Sequence, residues 1–322
     1  DLRRFLAGED LRSTRSAAAR HPARDLTLTT EKLLFFAGKG GVGKTTAAAS
    51  VALQLARERT ESRFVLLSVD PAHAVQDVFG NEDPPSNLVV EMIDTRALWR
   101  DFRESFGDAV SRALKALTPR GFSLSHDQAV MEQLIDMAPP GADELFAILR
   151  LVKLRDDENL ERVIVDTAPT GHFLRLLDLP RTAGEWVREF MRLLLRYREI
   201  LPAGSLGEQL LEASRGLRSF EETLRSENAS VIVVTRPDPL VMAETRRLLE
   251  ELQRRSVRVS ALIANAMTPA SRCSCDQSRR SGELDVIARL DRPAVIIDRQ
   301  PQPPVTLEAL RALLPLSVKK ER

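Results

Sequence analysis

At 322 residues, 43% of them hydrophobic, the chain is long enough for one large α/β unit or two smaller ones around a sizeable core. Its 47 Lys and Arg offset 46 Asp and Glu to a formal net charge of +1, a balance that points to no nucleic-acid partner. No apolar run approaches the roughly 18 residues of a membrane-spanning helix, no signal-peptide h-region opens the chain, and two cysteines are too few for a secreted disulfide framework, so a soluble, cytoplasmic, reducing setting is expected.

Residues 1–30 begin at Asp1 and are rich in Arg and Ala with little β-character. They read as a lead-in or linker, helical or mobile, of a trimmed or fused chain. An apolar run at 33–37 then leads into Gly38-Lys39-Gly40-Gly41-Val42-Gly43-Lys44-Thr45-Thr46, and an Ala- and Leu-rich helical stretch follows. Strand, glycine loop and helix in that order form a phosphate-binding loop. Glycines turn consecutive backbone N–H groups around a phosphate, and the helix start adds its positive end. In this pattern Lys44 reaches the β- and γ-phosphates and the Thr45 hydroxyl ligates Mg²⁺. The chain is therefore expected to bind a nucleoside triphosphate.

Further apolar runs at 64–69, 88–93, 162–166, 230–235, 259–264 and 294–298 are rich in Val, Ile and Leu and lack alternation. That pattern predicts strands buried on both faces of a doubly wound, mostly parallel α/β sheet, with ligands at the strands' carboxyl ends. Residues 31–322 read as one P-loop domain. Asp70, in Asp70-Pro71-Ala72-His73, follows the second of these strands and is placed to orient a water at the γ-phosphate or to contact Mg²⁺ through water. Asp166 ends a Walker-B-type strand and would hold Mg²⁺ through a water. Thr167-Ala168-Pro169-Thr170-Gly171-His172 then reads as a compact loop able to sense the γ-phosphate. Lys39 is poorly placed to duplicate Lys44. Its long side chain, leaving the rim of the loop, could reach the triphosphate of a second molecule, as an arginine finger does in trans.

Two intervals, 95–159 and 176–228, lack strand signals and read as helical insertions. The first carries Trp99, Phe102, Phe106, Val110, Leu114 and Leu117 at helical spacing. The second carries Trp186, Phe190, Leu193, Leu194, Tyr197, Leu201, Leu206, Leu210, Leu217, Phe220 and Leu224. These stripes either pack a helical cap onto the sheet or line a groove for an apolar helix.

Lys39 to Thr46, Asp70 to His73 and Asp166 to His172 together resemble the deviant-Walker-A ATPases that drive arsenite pumps or deliver tail-anchored membrane proteins. The likeness runs on through Pro140-Gly141-Ala142-Asp143-Glu144, Leu174-Arg175-Leu176-Leu177, Arg236-Pro237, Glu244-Thr245-Arg246-Arg247 and Asn265. It implies Mg-dependent ATP hydrolysis in a nucleotide-sandwich homodimer, or in a pseudo-dimer of two fused halves. Lys39 would be the signature lysine, Asp70 would position the attacking water in switch I, and Asp166 and His172 would lie in switch II. Asn265 matches the adenine-reading position and favours ATP, although Ala266 stands where the family often has Gln.

Targeting members of this family clamp one zinc across the dimer with a Cys-x-x-Cys pair. Here Cys273 and Cys275 are separated by one residue. Two thiolates from each subunit would complete a Cys₄ zinc site; a free or redox-active pair, or a pair with no role, are the alternatives. Arsenite-driving members bind metalloid through cysteines spread over the helical region, which this chain lacks. With six methionines in all, any client groove would be lined by Leu, Phe and Trp.

The leading expectation is a cytoplasmic ATPase, or one peripheral at the membrane, whose dimer closure is coupled to binding and release of a hydrophobic client such as a tail-anchored segment. The alternatives are an ATPase subunit energising a membrane anion permease, and an ATP switch of the partitioning or division-site-positioning kind. The surface-bound members of that last group end in a basic amphipathic helix, of which residues 307–322 are a feeble version ending in Lys319-Lys320-Glu321-Arg322.

Overall fold

The computed structural model describes residues 23, 25–70, 75–80, 82–94, 144–196 and 204–318, with 97, 98, 100, 101 and 104. Its elements begin with β1 (Leu26–Leu28), β2 (Leu33–Ala37), α1 (Lys44–Glu58), β3 (Arg63–Ser68) and β4 (Leu88–Met92). The middle of the chain supplies α2 (Glu144–Arg155), β5 (Leu160–Asp166), α3 (Thr170–Arg196), α4 (Gly204–Leu224) and β6 (Ala229–Thr235). The last part adds α5 (Pro239–Arg254), β7 (Val259–Met267), α6 (Ser274–Ala288), β8 (Ala294–Asp298), α7 (Leu307–Leu313) and β9 (Leu316–Val318).

All seven runs expected to be strands pair in one parallel sheet of order β4-β3-β5-β2-β6-β7-β8. The strand that feeds the glycine loop is thus central, and the chain winds outward from it in both directions. Successive strand side chains point to opposite faces, which splits the core in two. Leu33, Phe35, Val163, Val165, Val231 and Val233 face one cluster with α2, α3 and α4. Leu34, Phe36, Ile164, Ile232 and Val234 face another with α1 and α7. A sheet covered on both faces has no polar side to show, which is why its strands read as continuous apolar runs.

The helical intervals are anchored to this sheet. Phe35 meets Phe173 of α3 at 5.9 Å between ring centres and Phe220 of α4 at 6.4 Å. Burial of each ring contributes about 2–3 kcal/mol. Leu217, Phe220 and Leu224 belong to the core, as do Leu145, Ile148, Leu151 and Leu154 of α2. The ends of both intervals are therefore ordinary sheet-covering helices rather than inserted structure. Trp99, Phe102, Phe106, Val110, Leu114, Leu117, Tyr197 and Leu201 lie outside the described residues, as do Pro140 to Asp143.

Both chain ends depart from the sequence expectation. Leu26–Leu28, within the stretch read as a lead-in, forms a strand parallel to β9, with Leu26 opposite Leu316 and Leu28 opposite Val318. Leu26 and Leu28 are fully buried. Helix α7 is not a free amphipathic terminus. It buries Leu310 against α1, where the Ser50 hydroxyl donates to the Leu310 carbonyl at 2.6 Å and the Gln54 amide to the Leu314 carbonyl at 3.0 Å. The two buried polar residues of an otherwise apolar helix face thus bind the carbonyls of the returning chain. Residues 319–322 lie outside the described set.

Candidate functional site

Strand register brings the motif residues to one edge. Asp166 on β5 stands opposite Phe36 of β2 on one side and Ser68 of β3 on the other. The glycine loop begins two residues beyond Phe36, and Asp70 lies two residues beyond Ser68. Three strands thus release their loops side by side. Pro71, Ala72 and His73 lie outside the described residues.

The loop is built by close backbone approach. Gly38 has φ 151°, and a Cβ there would sit 2.2 Å from the Val234 carbonyl oxygen of β6. Gly43 has φ 97° and caps α1 with no side-chain acceptor. Two other helices are capped by side chains, the Asp238 carboxylate accepting from Leu240 and Val241 at the start of α5 and the Thr306 hydroxyl from Ala309 at α7, whereas α6, which follows Cys273, is not. The first-turn N–H groups of α1 have no such side-chain acceptor, and no acidic residue sits in that turn. A helix start of this kind is suited to an anion.

Lys44, 6% exposed, extends back over the loop and donates to the Lys39 carbonyl at 3.4 Å. Burial pulls its ammonium below the usual lysine range, while Asp166 and Asp70 favour the charged form. Both carboxylates are themselves buried. The Thr45 hydroxyl donates to Asp166 Oδ2 at 2.8 Å, so two hard oxygen donors stand together at the base of the loop. Such a donor pair fits Mg²⁺, which keeps most of its waters and takes few protein oxygens.

The segment after Asp166 is shorter than expected as a loop. Thr167 is pinned to the end of β2, its hydroxyl donating to the Phe36 carbonyl at 2.7 Å. The Pro169 carbonyl then accepts from His172 and Phe173, so Thr170, Gly171 and His172 form the first turn of α3. Only Thr167, Ala168 and Pro169 are loop. His172 Nδ1 lies 3.5 Å from Glu144 Oε1 at the start of α2.

Asn265 is engaged with the loop itself. Its Nδ2 donates to the Val42 carbonyl at 2.7 Å, and its Oδ1 accepts from the Ala266 N–H at 2.8 Å. A Cβ at Gly43 would come within 2.3 Å of that amide. Asn265→Ala is expected to remove a brace worth about 1 kcal/mol and to raise the KM for ATP about three- to tenfold with kcat little changed. An unaltered KM in steady-state kinetics would show that the loop holds its shape without it.

Lys39, at the loop rim, makes an ion pair of 3.1 Å with Glu244 on α5. In the sequence Glu244 stands out only as part of the run Glu244-Thr245-Arg246-Arg247. The signal that could have singled it out is its place in the helix that follows β6, the neighbour of β2. Far from the phosphate loop in sequence, Cys273 and Cys275 are exposed at the start of α6 with their sulfurs 2.6 Å apart. Together with Asp276 they bring three candidate ligand atoms within 4.8 Å of one another. Their shared hydrogen bond holds the Cys273 thiol below the usual range and the Cys275 thiol above it.

Among the described residues no helix is long and apolar enough to cross a membrane. The family model described as "Anion-transporting ATPase" matches residues 31–292. The chain is 32% identical over 249 residues to "Putative arsenical pump-driving ATPase 2" of Aquifex aeolicus, covering 74% of this chain and 81% of that protein. It is 29% identical over 290 residues to "ATPase GET3" of Candida glabrata, covering 83% and 82%. To "ATPase ASNA1 homolog" of Dictyostelium discoideum it is 30% identical over 288 residues, 84% of each chain. The chain belongs to the anion-transporting ATPase family, and it is an ATPase that uses ATP with Mg²⁺.

Proposed function

We propose that this ATPase closes as a homodimer on ATP and couples closure to the binding of a hydrophobic helical client, which hydrolysis releases. The observation that carries the dimer is Lys39. Its ammonium sits outside its own phosphate loop, bound to Glu244 rather than folded over the loop as Lys44 is. A second cation at that rim serves a triphosphate approaching from outside. Thr45 and Asp166 would hold Mg²⁺, which supplies charge neutralisation at the phosphates. Asp70 would orient the attacking water, and Asp166 to His172 would relay the state of the γ-phosphate to α3. In this reading the exposed Cys273 and Cys275 of two subunits would share one zinc.

The client reading rests on the resemblance to targeting ATPases and on the similarity to the GET3 and ASNA1 relatives. An arsenite-type pump subunit is the second reading, favoured by the similarity to the Aquifex protein. Against it stands the confinement of both cysteines to positions 273 and 275, which leaves no thiols for a metalloid site spread across the helices.

Lys39→Ala is the test of the dimer. It is expected to bind a fluorescent ATP analogue normally, to lose ATP-dependent dimerisation in sedimentation velocity, and to hydrolyse ATP about a hundredfold more slowly. Unchanged turnover with nucleotide bound would refute a role in trans. For the client, the Asp70→Asn variant held with ATP should retain a single-span C-terminal helix added in detergent. Retention of a polytopic permease instead would replace targeting with pumping.

A further inference from the structure

The ion pair between Lys39 and Glu244 raises a question that the phosphate site leaves open. A lysine meant for the triphosphate of a partner subunit is here committed to a carboxylate of its own chain, 3.1 Å away. Both side chains are partly open to solvent, 29% and 37% exposed, so the pair can exchange rather than lock. Glu244 stands one helical turn beyond Leu240, which is 65% exposed and on the same face of α5.

We infer that Glu244 is a positioning residue that parks Lys39 within its own subunit, and that exchange of Lys39 from Glu244 to the partner's triphosphate sets the threshold for dimerisation. The inference rests on the reading of Lys39 as acting in trans. One ammonium cannot serve both anions at full strength. A single exposed carboxylate holds it weakly, whereas the several charges of a triphosphate in a closing, water-poor interface hold it strongly. A diphosphate offers less charge at the same distance. The latch therefore favours the open state until ATP is present on both subunits, and it suppresses closure and turnover on incomplete sites.

Only subunits with Lys39 released are competent to close. An exposed pair shifts the free lysine by about three- to fivefold per subunit. Two latches must open in each homodimer, so releasing both multiplies the dimerisation constant about nine- to twenty-fivefold.

Glu244→Gln removes the charge and keeps the side-chain volume at a partly exposed position. The dimer Kd with ATP, read by sedimentation velocity or mass photometry, is expected to fall about tenfold, and turnover at subunit concentrations below the wild-type Kd should rise accordingly. Glu244→Asp, which keeps the carboxylate, should return the Kd towards wild type. In a Lys39→Ala background, Glu244→Gln should have no further effect. A Kd within twofold of wild type, or the same gain without Lys39, overturns the latch. If the wild-type protein does not dimerise on ATP, the trans reading itself fails and takes the latch with it. A wild-type dimer indifferent to Glu244 removes the latch alone.

Discussion

Lys44→Ala is expected to lower kcat/KM for ATP by about ten-thousandfold, through weakened nucleotide binding and lost stabilisation of the transferring phosphoryl group together. The site explains the size of the effect. Lys44 is a buried cation between two buried carboxylates, Asp166 and Asp70, whose charges it offsets. With alanine there, an incoming triphosphate meets two negative groups and loses the ammonium that would answer its own charge. Interactions in this water-poor pocket are stronger than at a surface. The fold should survive, because α1 keeps its apolar contacts and Asp166 keeps the hydrogen bond from the Thr45 hydroxyl. Isothermal titration and steady-state hydrolysis measure the loss, and a melting temperature within a few degrees of wild type separates it from unfolding. Turnover within tenfold of wild type would mean that Lys44 does not touch the phosphates.

Gly38→Ala should cost on the order of 4 kcal/mol of folding stability, the sum of backbone strain and overpacking. The left-handed φ of 151° disfavours any side chain, and the new Cβ would lie 2.2 Å from the Val234 carbonyl. That oxygen belongs to the backbone of β6, one residue beyond the Ala37–Val233 pair that ends its register with β2, so neither side can yield without opening the central strand pair. A stability of about 5–15 kcal/mol is typical of a whole domain, so a loss of this size is a large fraction of the total. The midpoint of urea unfolding should drop correspondingly, and ATP binding should fail before global unfolding as the loop is displaced. Gly41, where a Cβ would meet nothing within 4 Å, is the control: its alanine variant should lose far less. Equal losses at the two positions would assign the effect to φ rather than to the close approach.

The candidate nucleotide site was legible in the sequence to the extent that its signals are local. The glycines at 38, 40, 41 and 43, the Lys44-Thr45 pair and the Asp ending a hydrophobic strand each declare themselves within a few residues. The same holds for the seven strands of the sheet, which are apolar along their length because helices cover both faces. Boundaries moved by up to three residues, as at β7, which runs on to Met267 and carries Asn265 and Ala266 inside the strand. Less legible was the division between loop and helix after Asp166. Thr170, Gly171 and His172 look like a glycine-bearing loop in one dimension, and the Pro169 carbonyl makes them the first turn of a helix.

Sequence alone therefore determined that this chain sets a phosphate-loop motif at the end of a parallel sheet, since backbone freedom, hydroxyls and strand hydrophobicity are properties of neighbouring residues. Only the tertiary structure decided what those residues lean on. Lys39 meets Glu244 across 205 positions of chain and Asn265 meets Val42 across 223. The short strand Leu26–Leu28 finds its partner at Leu316–Val318. A three-residue strand or a single ion pair leaves no periodic mark on the sequence. Its existence depends on the rest of the fold bringing two distant segments within bonding distance.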